Sequence, residues 1–329
     1  MKRTDRDIFL YMELSAEGFK TSSFELITAG QRIAAKTGGR LIAVVISETD
    51  QVAKQLDHYG LDCVICVCHE SLGKYSTFQY TKALYDLIIE CKPDVMLFSA
   101  TKTGKDLAPR LARRLGTGIT ANCIDLESNP ETGIVSWNMP APGGIMATIL
   151  CSDHRPQLGT ICPGIFEKPV QKVIQNTEFI YKRIDPGERE HIKMISSQNS
   201  EGQGNNQLLD AEIVVAGGRG MGSKESFQLI IDLASRLGAA VGASRAAVDN
   251  GYADPQYLIG QTGTIVKPKL YIACGISGAL QHIIGAEKAD CIIAINRDRE
   301  APIMSYADYA IIGDVRDVLP KLINNLSQI

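Results

Sequence analysis

Nowhere in this 329-residue chain do about 18 apolar residues run together, so no membrane-spanning helix is expected. The opening Met1 to Asp7 leads into a short strand-like run, Ile8 to Leu14, too short and too soon interrupted by acids for a secretory signal. A cytoplasmic protein is the expectation. Basic charge is not in excess either: 34 Lys and Arg against 37 Asp and Glu leave a net charge of -3, which argues against a nucleic-acid surface. Signatures of substrate chemistry are missing as well. The five histidines (58, 69, 154, 191 and 282) stand apart, and neither a Gly-x-Ser-x-Gly elbow nor a His-Glu-x-x-His pair occurs.

Nine cysteines, an odd number scattered over the chain, do not form a disulfide framework, and only Cys63, Cys66 and Cys68 cluster. Cys63 and Cys66 fall on opposite faces of a strand, and no second Cys pair completes four ligands, so no metal site is expected. Thr101 to Arg110 follows a strand and opens a helix, a place where open α/β sheets bind ligands. It lacks the lysine and hydroxyl spacing of a P-loop, and Lys105 and Arg110 read as surface charges or partner contacts. Trp137, the only tryptophan, reads as core.

What is present is alternation. Apolar runs at Ile8 to Leu14, Leu41 to Ile46, Leu61 to Cys68 and Val95 to Ser99 alternate with helical patterns at Phe24 to Lys36, Val52 to Tyr59 and Ser76 to Cys91. This predicts a doubly wound parallel sheet. From Gly118 to Tyr181, short alternating runs broken by Gly and Pro predict an antiparallel extension of it. A polar, glycine-bearing tract without apolar periodicity marks a linker. The expected division is an N-terminal α/β domain over 1–190, a linker over 191–207 and a second α/β domain over 208–329. Strands are expected in the latter near 212–216, 239–242, 270–273, 291–295 and 309–312, with a closing helix over 315–326.

Two strand-to-helix turns in the second domain are rich in glycine. Glu212 to Ala216 feeds Gly217, Gly218, Arg219, Gly220, Met221 and Gly222 before an amphipathic helix; Leu270 to Ala273 feeds Gly275 and Gly278 before Gln281 and His282. Such turns converge unpaired amide N–H groups on an anion, and phosphate suits them. The fit to a dinucleotide fingerprint is poor. Its third glycine is replaced by Ser223 or Glu225, depending on the reading frame, and no acidic residue ends a strand about 20 residues on, so NAD is not indicated.

Gly218-Arg-Gly220, Val241-Gly-Ala-Ser-Arg-Ala-Ala-Val-Asp249, Gly260-Gln-Thr-Gly263, Leu270 through His282 with Gly285, and Ile293-Ala-Ile-Asn296 resemble the α subunits of electron-transfer flavoproteins in order and spacing. The resemblance implies a Rossmann-like C-terminal domain that binds FAD. It implies contacts from Arg219, Ser244, Arg245, Gly260, Gln261, Thr262, Ser277, Gly278, Ala279, Gln281, His282, Asn296 and Asp314. Ser277 and Gly278 would hold the pyrophosphate, and Asn296 and Asp314 the adenosine half. Arg219, Arg245 and His282 would surround the isoalloxazine as cationic or hydrogen-bond donors, with Thr262 at its N5 edge. It further implies an electron carrier with no substrate chemistry of its own, paired with a β subunit and serving an acyl-CoA or other flavin dehydrogenase, or a quinone reductase. An electron-bifurcating variant stays open. So do an NAD-dependent oxidoreductase and a flavin-free adaptor on the same fold.

Overall fold

The structure is a computed structural model, and it describes residues 6–15, 18–141, 145–171, 177–185, 187, 208–209 and 211–326. The chain divides into two compact units, Met1–Ile195 and Ser196–Ile329. The linker expected over 191–207 lies outside the described residues.

In the first unit β1 (Ile8–Met12) and the small hairpin β2 (Leu14–Ser15) and β3 (Gly18–Phe19) lead into α1 (Thr21–Thr37). There follow β4 (Leu41–Ser47), β5 (Cys63–Cys68), α2 (Thr77–Cys91), β6 (Val95–Ser99) and α3 (Lys102–Leu115). Then come β7 (Ile119–Cys123), β8 (Asp125–Ser128), β9 (Val135–Ala141), β10 (Ile145–Leu150), β11 (Gln157–Ile161) and β12 (Glu178–Arg183). Seven strands pair in the order β12-β5-β4-β1-β6-β11-β7, every neighbour parallel. All five residues of β1 are buried, because alternate side chains serve two cores. Ile8, Leu10 and Met12 pack with Leu26, Ile27 and Ile33 of α1, while Phe9 and Tyr11 face Leu84 of α2 and Leu107 of α3.

The antiparallel strands take a different form from the one expected. They form a three-stranded sheet of their own, β10-β9-β8, and three segments within the expected extension, β7, β11 and β12, join the main sheet in parallel instead. For β11 the fit depends on Gly159. A Cβ there would sit 2.2 Å from Cζ3 of Trp137, so only glycine lets the fully buried indole of β9 lie on β11 and hold it between β6 and β7. The helix expected over Val52 to Tyr59 is a 3-10 turn, Gln51–Leu56.

The second unit runs β13 (Ile213–Gly217), α4 (Lys224–Leu237), β14 (Ala240–Ala243), α5 (Arg245–Asp249) and β15 (Leu270–Cys274). It ends with α6 (Leu280–Ile283), β16 (Ile292–Asn296), α7 (Ile303–Tyr306), β17 (Tyr309–Ile312) and α8 (Val315–Leu326). The sheet is parallel throughout, in the order β14-β13-β15-β16-β17. Helix α4 starts where Ser223 accepts a hydrogen bond from the Ser226 amide, and it stops at Gly238 with a left-handed φ of 61°. From β13 the chain first steps outward to β14 and then returns to β15 on the other side. The reversal opens a crevice at the carboxyl ends of β13 and β15, the usual ligand position in such sheets.

Candidate functional site

At that crevice two loops cross with almost no space between them. Gly218 donates to the Cys274 carbonyl at 2.8 Å, and Gly220 donates to the Gly275 carbonyl at 2.9 Å. A Cβ on Gly218 would lie 2.2 Å from the Gly275 oxygen, and one on Gly220 would lie 2.8 Å from the Gly275 Cα. Backbone on both sides leaves nothing to give way. Gly218→Ala should therefore cost about 1–3 kcal/mol of stability and lower cofactor content together. Urea unfolding and the protein-bound flavin of the purified variant check this; unchanged values for both would mean the loops do not depend on this crossing.

The other loops are tied to the same edge. The Ser244 amide donates to the Gly217 carbonyl at 3.0 Å, and the Ser244 side chain caps α5 by accepting from Ala247. Residues 258–264 are held at two points: Ile259 donates to the Ala243 carbonyl (2.9 Å) and Gln261 to the Gln281 carbonyl (2.7 Å). Gly260, at φ 141°, has no room for a Cβ beside the Gln281 oxygen, 2.6 Å away. Gly278, at φ 82°, packs equally tightly on the Ile303 amide, which donates to the Ser277 carbonyl at 3.1 Å. The sheet edge thus gathers Arg219, Ser244 and Arg245 with the 277–279 loop, Asn296 and Asp314, while the bridging loop brings Gly260, Gln261 and Thr262 to it.

Several of these residues have structural roles that the sequence reading did not assign. Helix α6 is only four residues long, so its macrodipole adds little behind Ser277 and Gly278. What remains are amides: those of Arg219, Ser277, Gly278 and Ala279 donate no hydrogen bond among the described residues. Asn296 is nearly buried, its Nδ2 donating to the Ile276 carbonyl (2.9 Å) and its Oδ1 accepting from the Asp298 amide (3.0 Å). It joins the end of β16 to the loop after β15. Asp314 accepts from the Arg316 amide and from two guanidinium nitrogens, at 2.9, 2.9 and 2.7 Å, and these bonds hold its carboxyl well below the usual range.

His282 differs most from expectation. It is buried, Tyr271 Oη lies 2.8 Å from its Nε2, and its Nδ1 lies 3.1 Å from the Ile259 carbonyl. A carbonyl can only accept, so Nδ1 carries the proton and Nε2 accepts from the tyrosine. Burial lowers its pKa from 6.5 to about 4. Expected as a cationic or hydrogen-bond donor to the isoalloxazine, His282 here has both ring nitrogens engaged, one by Tyr271 and one by the Ile259 carbonyl. Tyr271 was not foreseen, since nothing in the spacing of a strand tyrosine and a histidine eleven residues on signals contact.

The sequence model described as the electron transfer flavoprotein domain matches residues 8–193, and the one described as the electron transfer flavoprotein FAD-binding domain matches residues 207–287. The chain belongs to the electron transfer flavoprotein family. It is 42% identical to the electron transfer flavoprotein subunit alpha of Clostridium acetobutylicum over 328 residues, 98% of each chain. It is 41% identical to the protein FixB of Clostridium saccharobutylicum, covering 98% of this chain and 97% of that one. The acryloyl-CoA reductase electron transfer subunit beta of Anaerotignum propionicum is 35% identical, with 98% and 96% covered. The protein is an electron carrier of this family, and its cofactor is FAD. The matched FAD-binding segment includes Arg219 through His282 and ends before Asn296 and Asp314. Among the described residues no helix is long and apolar enough to cross a membrane.

The residues fit the group. Unpaired amides and glycines that admit a ligand close to the backbone suit a pyrophosphate. The candidate residues span all five strand ends, and four inter-strand steps make about 19 Å, a length suited to a dinucleotide.

Proposed function

We propose that this chain is the α half of a two-subunit electron carrier, in which a β subunit covers the FAD held at the edge of the second unit's sheet. The observation that carries this reading is the convergence of the glycine loops and unpaired amides on one strand edge, inside the segment matched by the FAD-binding model. Bound FAD supplies the redox chemistry, storing electrons on its isoalloxazine ring. The protein's part is to hold and tune it. Ser277, Gly278 and Ala279 present amides to the pyrophosphate, and Arg219 reaches the same edge from the β13 loop. Ser244 fixes the start of α5 and so the place of Arg245, while Gln261 and Thr262 ride on the clamped loop. Asn296 and Asp314 shape the far end for the adenosine.

The donor or acceptor served is a flavin dehydrogenase of the acyl-CoA type, a reading supported by the Anaerotignum relative, an acryloyl-CoA reductase electron transfer subunit. The site lies at the surface, with Gln261, Thr262, Ser277 and Gln281 exposed, so a ring held there by this chain alone would keep apolar area in water. The α chain produced alone should therefore lose most of its FAD on gel filtration, and co-production with a β subunit of the family should retain it. An isolated α chain with full FAD and full electron-transfer activity would overturn the two-subunit reading. Counting flavins and testing reduction by NADH in the same complex separates an ordinary carrier from a bifurcating one.

A further inference from the structure

The cysteine cluster in the first unit has a use outside the flavin site. Cys63 packs on one face of β5 with Phe9 and Ile65, whereas Cys66 packs on the other with Phe24, Tyr59 and Leu61. Cys68 shares the Cys66 face, two residues on and near the open carboxyl end of the strand, where it is partly exposed. The two sulfurs lie 3.2 Å apart, with Ser47 Oγ 3.5 Å from that of Cys66. Two thiols are thus held at contact on a rigid strand between β4 and β12.

We propose that Cys66 and Cys68 form a proximal-dithiol site that takes a trivalent arsenical as a two-sulfur chelate.

Geometry favours this over a disulfide. Closing an S–S bond requires about 2.05 Å, and residues two apart on a strand stand about 6.6 Å apart at Cα, near the upper limit for a bridge. An arsenic atom bonded to both sulfurs leaves them unbonded and near their present separation. Proton balance points the same way. Burial pushes the Cys66 thiol up to about 12, which disfavours the thiolate that disulfide exchange needs. Condensation with an organoarsenic(III) oxide consumes two neutral thiols: two As–S bonds form, the As–O bonding is lost, and both thiol protons leave with the oxygen as water. No electron is transferred. Among the described residues no group of three or more His, Cys, Asp or Glu side chains is placed to hold a metal ion, which favours a ligand satisfied by two sulfurs.

The test uses the FAD-loaded, full-length protein in its α/β complex with one equivalent of phenylarsine oxide and excess glutathione, a monothiol that competes poorly with a chelate. Intact mass after gel filtration should show one phenylarsenic group on this chain, with loss of water, released by a small dithiol. Cys68→Ser changes only a partly exposed side chain and should weaken retention about 100-fold or more, as expected when a two-point attachment becomes single. Cys66→Ser should do the same, and Cys123→Ser should not. Absence of the adduct on the folded wild-type chain, or its full retention in Cys68→Ser, would overturn the proposal.

Discussion

Arg245→Ala should lower the first one-electron reduction potential of the bound FAD by roughly 60–130 mV, with FAD content unchanged. The structure places Arg245 at the first position of α5, directly after the β14 edge, with its Nε held by both carboxylate oxygens of Asp249 at 2.9 and 3.0 Å. That pairing fixes the guanidinium while its terminal nitrogens have no partner among the described residues. Reduction adds negative charge to the ring, so a nearby cation acts differently on the two redox states and shifts the potential rather than simply tightening binding. A hydrogen bond to a charged group is worth about 1.5–3 kcal/mol, and about 59 mV corresponds to a tenfold change for one electron. Asp249→Asn removes the opposing charge and should move the potential upward. Arg245→Lys should recover part of the loss, since the charge stays and the fork does not. Spectroelectrochemistry of the α/β complex checks all three; equal potentials in Arg245→Ala and wild type would leave Arg245 as a helix-start residue paired with Asp249.

The C-terminal strands were readable because each is a short, largely apolar run bounded by glycine or polar residues. The expected 270–273 and 309–312 appear as Leu270–Cys274 and Tyr309–Ile312, and the closing helix is Val315–Leu326. Pairing is another matter, because it depends on residues distant in sequence. The places of β11 and β12 in the main sheet rest on an indole packed over Gly159 and on an edge register with β5, and neither has a local sign. The same limit applied at the site. Glycine motifs located the crevice, since close backbone approach demands glycine at specific positions. They could not show that Asn296 is spent on a backbone carbonyl, that Asp314 is held by Arg316, or that a tyrosine buried in β15 takes the free nitrogen of His282.

That last contact leads to a pH dependence with a definite sign. With a folded pKa near 4 against an ordinary 6.5, His282 binds its proton more readily in the unfolded chain. Its contribution to stability is complete above pH 6.5, falls as pH drops below that value, and is fully lost below about 4. A difference of that size is linked to about 3 kcal/mol of folding free energy, an order of magnitude appropriate to a ring this deeply buried. The structural cause is burial: a second proton on the ring would place a charge beside the Ile283 and Ala286 core, which the hydrogen bond to the Ile259 carbonyl only partly offsets. His282→Gln offers a neutral amide that can donate to Ile259 and accept from Tyr271 without titrating. The comparison is therefore urea unfolding of wild type and His282→Gln at pH 7 and at pH 4.5, following the FAD-binding unit. Wild type should lose more stability than the glutamine variant over that interval, by an amount approaching the linked value. Parallel losses in the two proteins would mean that His282 is protonated with little cost in the folded chain, and that the Tyr271–His282–Ile259 arrangement does not hold in solution.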